Sequence, residues 1–404
     1  AAWNTRYMAA MGPPDRDPEI VSSPARTRSL IAAILCAALA GAGYGLLMPL
    51  AALNLEAMSG SAQIAGLNAA AAALSTIVAT PLIPPLLARV PPRAALAGSA
   101  VITGAGIALF PLLPDVLIWF VLRFVTGLAV TVIFVGSETW INQLAKPESR
   151  ASLLAVYATV LSAGFGSGGL LLAALGSQGA APWLAAAAIF VAGAIPIALL
   201  KGPDLAPPER HEAGVAAMWS TARLAPAAIL AGFVFGALET GVFAMFPIYA
   251  ARLGFTEAAV GSLMAVGALG AIAMQIPLGR AADRIGRLAM LRLIAGGAVV
   301  LALAIAVVGA RLWAVVPLIF LFVGLASAFY TVGLALIGER VRLAALATAN
   351  AAFIFAYGFG SLIGPPIAGA AMDGLGPWGM LAAFAATAGL YLVLAWREKD
   401  IQKH

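Results

Sequence analysis

The stretch Pro277-Leu278-Gly279-Arg280-Ala281-Ala282-Asp283-Arg284-Ile285-Gly286-Arg287 places four charges within the eight residues from Arg280 to Arg287. Long apolar runs flank it on both sides. The chain as a whole avoids charge: of 404 residues, 62% are hydrophobic and 10% charged, and the mean hydropathy is +1.00. Soluble domains carry about 25% charged residues, so a water-soluble fold of this length could not cover so much apolar side chain. Apolar stretches of about 20 residues recur from 29 to 397, each long enough to cross ~30 Å of hydrocarbon. The charged island is therefore a loop between two membrane helices, and the composition specifies an all-α polytopic membrane protein. A membrane β-barrel would alternate in segments of ~10 residues instead.

The apolar runs predict twelve spans, at 29–53, 62–88, 94–112, 115–140, 151–175, 182–200, 225–250, 256–279, 288–309, 312–338, 344–372 and 376–396. Of the 23 Lys and Arg residues, 20 fall in the two terminal tails and the loops after even-numbered spans. Arg252 and Arg311 lie on the other side, and Arg123 lies inside span four. This asymmetry puts both termini and the even loops in the cytoplasm. The chain then divides into a polar tail at 1–28, a first bundle at 29–200, a polar linker at 201–224, a second bundle at 225–397 and a tail at 398–404. The first tail, with Pro13, Pro14, Pro18 and Pro24, reads as disordered and lacks the short apolar core and cleavage site of a signal peptide.

The two groups of six echo each other. GFGS stands at 164–167 in span five and at 358–361 in span eleven. Gly45 and Pro49 of span one match Gly241 and Pro247 of span seven at a similar offset. Two parallel six-helix repeats with a site near the bilayer midplane are a transporter architecture.

The net charge of +6 does not indicate nucleic acid, because the basic residues are dispersed in short loops. Cys36 is the sole cysteine, and His211 and His404 lie outside the apolar runs. That leaves no disulfide, no cysteine metal cluster and no intramembrane His site. No Walker motif points to ATP.

The opening stretch resembles the loop motif G-x-x-x-D-R-x-G-R of the major facilitator superfamily, with Gly279, Asp283, Arg284, Gly286 and Arg287 at its fixed positions. It follows span eight, where that family carries it, and the resemblance extends over about 29–397. It implies a twelve-helix, two-bundle carrier of the bacterial inner membrane. Such a carrier works by alternating access on a small-molecule substrate, as a monomer in the lipid bilayer, with a proton gradient for energy and no cofactor. The first-half copy should lie at 84–93, but there only Arg89 survives, and Ala88 stands opposite Asp283. Arg123 and Gly127 resemble the R-x-x-x-G core of the proton-antiporter motif, with Thr126 in place of Gln. The Gly-Pro pair of antiporters is absent from span five and appears at Gly364-Pro365 in span eleven. Glu138-Thr139-Trp140-Ile141-Asn142 and the run 275–283 are similar to the YcaD-like branch, whose relatives are proposed to import riboflavin or copper. The Met-x-x-x-Met and His-x-x-x-Met pairs of the copper importers are missing here.

Glu239 lies about 14 residues into span seven, ~21 Å along the helix axis. An ionised carboxylate at that depth costs several kcal/mol unless it is paired or lines water, so Glu239 suits reversible protonation or substrate binding. Arg123 keeps its charge and is the second intramembrane candidate. The polar cavity candidates are Tyr44, Asn68, Ser75, Thr76, Tyr157, Ser162, Gln275, Tyr330, Asn350 and Tyr357, most of which suit helix bridging as well as binding. At the cytoplasmic face, Glu138 is expected to meet Arg89 or Arg150, and Glu339 to meet Arg284 or Arg287. Asp283 is expected to pair with Arg340 or cap the next helix. Together with Gly279, Arg280 and Gly286 these form a breakable latch, asymmetric because the first half has lost its acid. The function expected is proton-coupled secondary transport of a small amphipathic or lipophilic molecule, with efflux favoured. Uptake of a vitamin-like nutrient is the alternative, and a transport-inactive receptor or scaffold is the alternative of another class. No clustered nucleophile or acid–base pair suggests an enzyme.

Overall fold

The computed structural model describes residues 24–145, 150–202, 222–342 and 345–398. Twelve of its helices are long and apolar enough to cross a membrane. In chain order they are α1 (Pro24–Ser59), α2 (Ala62–Leu87), α3 (Pro92–Leu109), α4 (Val116–Leu144), α5 (Arg150–Leu175) and α6 (Ala181–Leu199). The second six are α7 (Pro226–Arg252), α8 (Glu257–Ile285), α9 (Arg287–Val308), α10 (Leu312–Arg340), α11 (Leu346–Leu375) and α12 (Gly379–Arg397). The face where α1 begins and α12 ends is called the basic face below, and the other the opposite face.

Helix ends differ from the sequence reading where polar residues stay helical. Residues 24–28, assigned above to the tail, form the start of α1, where Pro24 is tolerated because its missing N–H would be unsatisfied anyway. At its far end α1 runs to Ser59, past the expected 53, because the Asn54 side chain bonds back to the Leu50 carbonyl at 2.9 Å. On the opposite face, side-chain N-caps start three helices: Ser61 for α2, Asp115 for α4 and Thr256 for α8. Each accepts from a backbone N–H of the first turn, as an exposed helix start requires.

Within the first bundle α1 packs on α4, α5 and α6, while α3 joins α4 and α6. Within the second, α7 packs on α10 and α11, α8 on α10, and α9 on α10 and α12. Corresponding arginines staple each bundle at the basic face. Arg93, at the start of α3, donates to the Ile197 and Leu200 carbonyls at 2.9 and 3.1 Å and stacks on Trp140. Arg292, near the start of α9, donates to the Ala395 and Glu398 carbonyls at 3.2 and 2.7 Å and stacks on Trp396.

The bundles meet through α2 against α11 and α5 against α8. Both seams close on glycine. A methyl placed on Gly169 of α5 would stand 2.7 Å from the Gly261 carbonyl oxygen of α8, and one on Gly369 of α11 would stand 2.8 Å from the Gln63 Cα of α2. These positions lie in the halves of the helices nearer the opposite face, so backbone rests on backbone there.

Candidate functional site

Glu239 is the fourteenth of the 27 residues of α7, its midpoint. Phe235 and Phe243 lie one helical turn to either side of it, on the same face. That face, with Phe165 and Ser162 of α5, Ala268 and Ala271 of α8 and Val323, Ala326 and Ser327 of α10, encloses a pocket between the two bundles. Its volume is about 50 Å³. That holds a few waters, at ~10–15 Å³ each, and is far below the ~300–1,000 Å³ of a typical ligand site. A ligand of ordinary size would enter only if the pocket widened.

The Tyr357 hydroxyl of α11 donates to Glu239 Oε2 at 2.9 Å. Phe235 stacks beside Tyr357 and Tyr330, with ring centroids 5.4 and 5.3 Å apart. Glu239 has no ion-pair partner among the described residues. It is a single acid in an aromatic box, held by a neutral donor.

Arg123, the eighth residue of α4, does not line this pocket. Its guanidinium lies over the Tyr44 ring, 5.2 Å from the centroid, and contacts the Met48 sulfur. The residue is 2% exposed, and its Nε and Nη1 have no hydrogen-bond partner among the described residues. Tyr44 stands edge-on to Phe165 at 6.1 Å, and Phe165 meets Phe243 at 5.3 Å. An aromatic layer thus separates the buried cation from the buried acid. Of the other polar candidates, Asn68 bonds the Trp119 carbonyl and Thr76 bonds Thr131, so both join α2 to α4. Ser75 bonds back to Ala72 within α2, and Tyr157 lies 3.5 Å from Ser137. Ser162 reaches the pocket; Gln275 and Asn350 do not.

On the opposite face, two polar clips tie the bundles together. Arg252 of α7 meets Glu56 of α1 at 2.6 Å and Asp373 of α11 at 2.9 Å. Asp373 also accepts from Ser61 Oγ and from the Ala62 and Gln63 N–H groups at 2.6, 2.9 and 3.0 Å. A carboxylate is thus seated on the positive N-terminal end of α2. In the second clip, Glu257 of α8 accepts from the Ser177 N–H at 2.9 Å and from the Ser177 hydroxyl, while Asn54 holds the Ser177 carbonyl at 3.0 Å.

A model of one family, described as Major Facilitator Superfamily, matches residues 33–326 and again 228–403. The chain belongs to the Major Facilitator Superfamily. An uncharacterized MFS-type transporter of Yersinia pestis (strain Pestoides F) is 29% identical over 289 residues, 70% of this chain and 73% of that protein. The corresponding figures for YcaD of Salmonella paratyphi B are 28% over 289 residues, 69% and 72%. For YfkF of Bacillus subtilis they are 26% over 261 residues, 63% and 66%. Among solved structures, a point mutant of the nucleoside transporter NupG superposes with a TM-score of 0.78 at 12% identity, covering 91% of this chain and 99% of that one. A bacterial homolog of the human lysosomal transporter Spinster, in an inward-facing and unoccupied conformation, gives 0.71 at 15% identity, covering 93% and 96%. The protein is a multi-pass membrane transporter of this superfamily.

The superfamily motif expected as a loop is non-helical only at Gly286: Gly279–Ile285 continue α8, and Arg287 begins α9. Gly286 has φ of 93°, a left-handed turn that favours glycine and separates the two helices. A side chain at Gly279 would meet nothing within 4 Å. Arg287 links the loop to α10, meeting Glu339 at 2.8 Å and Asp283 at 3.4 Å. Two expected pairings are corrected. Asp283 neither reaches Arg340 nor caps α9; its side chain is 68% exposed and bonds one turn along to Arg287. Arg340 instead pairs with Glu398, whose other oxygen accepts from the Ala227 N–H at the start of α7, 2.7 Å away. Glu398 sits at the end of α12, out of reach of any loop-based reading. The pairing of Glu138 with Arg89 is also absent: both are exposed, and neither has an ion-pair partner among the described residues. Glu138 lies inside α4, six residues before its end, whereas Arg89 lies just past the end of α2. The side chain of Arg150 lies outside the described residues. Arg280 and Arg284 are exposed.

Sequence reasoning missed the opposite-face clips and the three phenylalanines. The clips left a signal. Arg252 is one of only two basic residues expected on that side, and Glu56, Glu257 and Asp373 stand at span ends on the same side. The phenylalanines carry no charge to mark them, but Phe235 and Phe243 bracket Glu239 at four-residue spacing.

Proposed function

We propose that this protein is a proton-coupled secondary transporter that moves a small amphipathic or lipophilic organic molecule out of the cell. In this reading it sits as a monomer in the bacterial inner membrane with its basic face and both termini in the cytoplasm. The proton gradient supplies the energy, and no cofactor takes part. The observation that carries the reading is the Glu239 carboxylate, bonded to Tyr357 and without an ion-pair partner among the described residues, at mid-membrane in an aromatic pocket between the bundles.

A lone carboxylate at that depth is costly while ionised. It is relieved either by a proton or by a positive group on a substrate. If both compete for the same oxygens, each displaces the other, and inward proton flow drives the substrate outward. The phenylalanine walls favour a substrate with aromatic or alkyl surface, and a cation held against them gains cation–π attraction. The opposite-face clips supply the second requirement of alternating access, a set of contacts made in one state and broken in the other.

The test is flux in proteoliposomes with an imposed pH gradient, using a fluorescent amphipathic cation such as ethidium. The unaltered protein should accumulate the dye against its gradient on the side where protons are abundant. Glu239→Gln should abolish that response while the protein still inserts and elutes as a monomer. Unchanged gradient-driven flux in Glu239→Gln would remove the proton role from this residue.

A further inference from the structure

A second cavity lies on the back of α7, away from the Glu239 pocket. It measures about 250 Å³ and runs between α11 and α12. Its floor is Val234 and Ala237 of α7, so an interior helix is reached from outside the bundle. Gly364 on one wall and Ala383 and Thr387 on the other keep it open by their small size. Its rim residues Ile367 and Leu390 are 54% and 63% exposed, and in a membrane they face lipid. The two lining side chains that carry hydroxyls are spent inside the protein. Thr387 donates to the Ala383 carbonyl at 2.8 Å, and Tyr391 donates to the Ala227 carbonyl at 3.1 Å. Nothing is left in the groove to bind a polar ligand, so its occupant is hydrocarbon.

The dimensions and the charge narrow the occupant. From Ala383 to Leu394 the groove follows α12 for ~16 Å, close to one leaflet of a ~30 Å core. Arg397 lies three residues beyond Leu394 and seven beyond Leu390, on the same helical stripe, at the basic face. It is exposed and has no hydrogen-bond or ion-pair partner among the described residues. The neighbouring acid, Glu398, is neutralised by Arg340 and the start of α7, so it does not repel an anion there.

We propose that the α7–α11–α12 groove is a binding site for one anionic membrane phospholipid. An acyl chain lies in the groove, and the phosphate sits on Arg397, whose planar fork suits a phosphate. The lipid occupies the leaflet at the basic face and braces the back of α7, two residues from Glu239.

The experiment uses the full chain, purified in detergent and depleted of lipid, with dioleoyl phosphatidylglycerol and dioleoyl phosphatidylcholine as probes. Native mass spectrometry should show one retained phosphatidylglycerol, bound about fivefold more tightly than phosphatidylcholine, the scale set by one basic side chain at an anionic surface. Arg397→Gln should erase that preference while leaving a lipid bound. Thr387→Trp and, independently, Ala383→Phe should fill the groove and lose the retained lipid while eluting as monodisperse protein. Equal binding of the two lipids by the unaltered protein overturns the headgroup assignment, and retention in both filled variants overturns the groove. Should the filled variants fail to fold, phosphatidylglycerol with a photoreactive acyl chain is used on the unaltered protein. Labelling must then fall on α7, α11 and α12, and labelling confined to other helices overturns the site.

Discussion

The Arg252 guanidinium lies 2.6 Å from the Glu56 carboxylate, across the boundary between the two bundles. Its second partner, Asp373, is itself seated on the start of α2. One side chain thus ties α7 to α1 and, through α11, to α2. Only the pair with Glu56 crosses the boundary; it is partly exposed, so it should favour the closed opposite face by up to ~1 kcal/mol. Arg252→Gln should therefore raise the population open on that face by up to roughly fivefold. The rate at which a thiol reagent labels a cysteine introduced at Ala62, buried at the α2–α11 seam, measures this. An unchanged rate would show that the clip does not hold the face shut.

The glycine seams make an independent prediction about the same closure. Gly261 faces Gly169, and a methyl on Gly169 would press on the Gly261 carbonyl oxygen at 2.7 Å. That crowding exists only while the helices touch. Gly169→Ala and Gly261→Ala should destabilise the closed arrangement by ~1–3 kcal/mol, the usual cost of overpacking, and leave the separated one untouched. Spin labels at Met58 and Leu375, in a protein with Cys36→Ser, should report a longer distance in both variants. A distance distribution identical to the parent's would mean that the seam yields without opening.

Arg123 buries a cation with two nitrogens unsatisfied among the described residues. An uncompensated buried charge lowers stability, and an apolar replacement of similar length is often neutral or stabilising by ~1–4 kcal/mol. Arg123→Met should accordingly melt at the same or a higher temperature than the parent, yet transport more slowly. A lower melting temperature would indicate a stabilising partner for the guanidinium.

The loops after α2 and α8 should differ in their tolerance of change. Asp283 contacts Arg287, which anchors to Glu339 on α10, whereas Ala88 offers no charge. Asp283→Asn should lower the initial transport rate more than Ala88→Asn. The loss should still be modest in stability, because an exposed pair one helical turn apart is worth ~0.3–0.5 kcal/mol. Equal rates in the two variants would contradict an asymmetric role for the loops.

Twelve helices, their order and the midpoint acid were legible because each rests on a local signal, either an apolar run of the right length or a charge where none is cheap. The repeat was legible too, and Arg93 with Arg292 gives it a structural counterpart. Pairings were harder. Glu398 lies at the far end of α12, yet it caps α7 and takes Arg340, a contact set by helix packing rather than by spacing. The separation of Arg123 from Glu239 depends on Tyr44 and Phe165, from two further helices. The seams at Gly169 and Gly261 look in sequence like any other glycines of a Gly-rich chain.

The two arginine staples have a consequence for biosynthesis. Arg93 is satisfied by carbonyls at 197, 200 and 202, and Arg292 by carbonyls at 395 and 398. Each staple closes a ring of chain inside its own half. Chains fold from the N-terminus as they are made, so the first ring can shut before the second has left the ribosome. What waits for the full chain is the join between the halves, which is also the part that must remain loose enough to move.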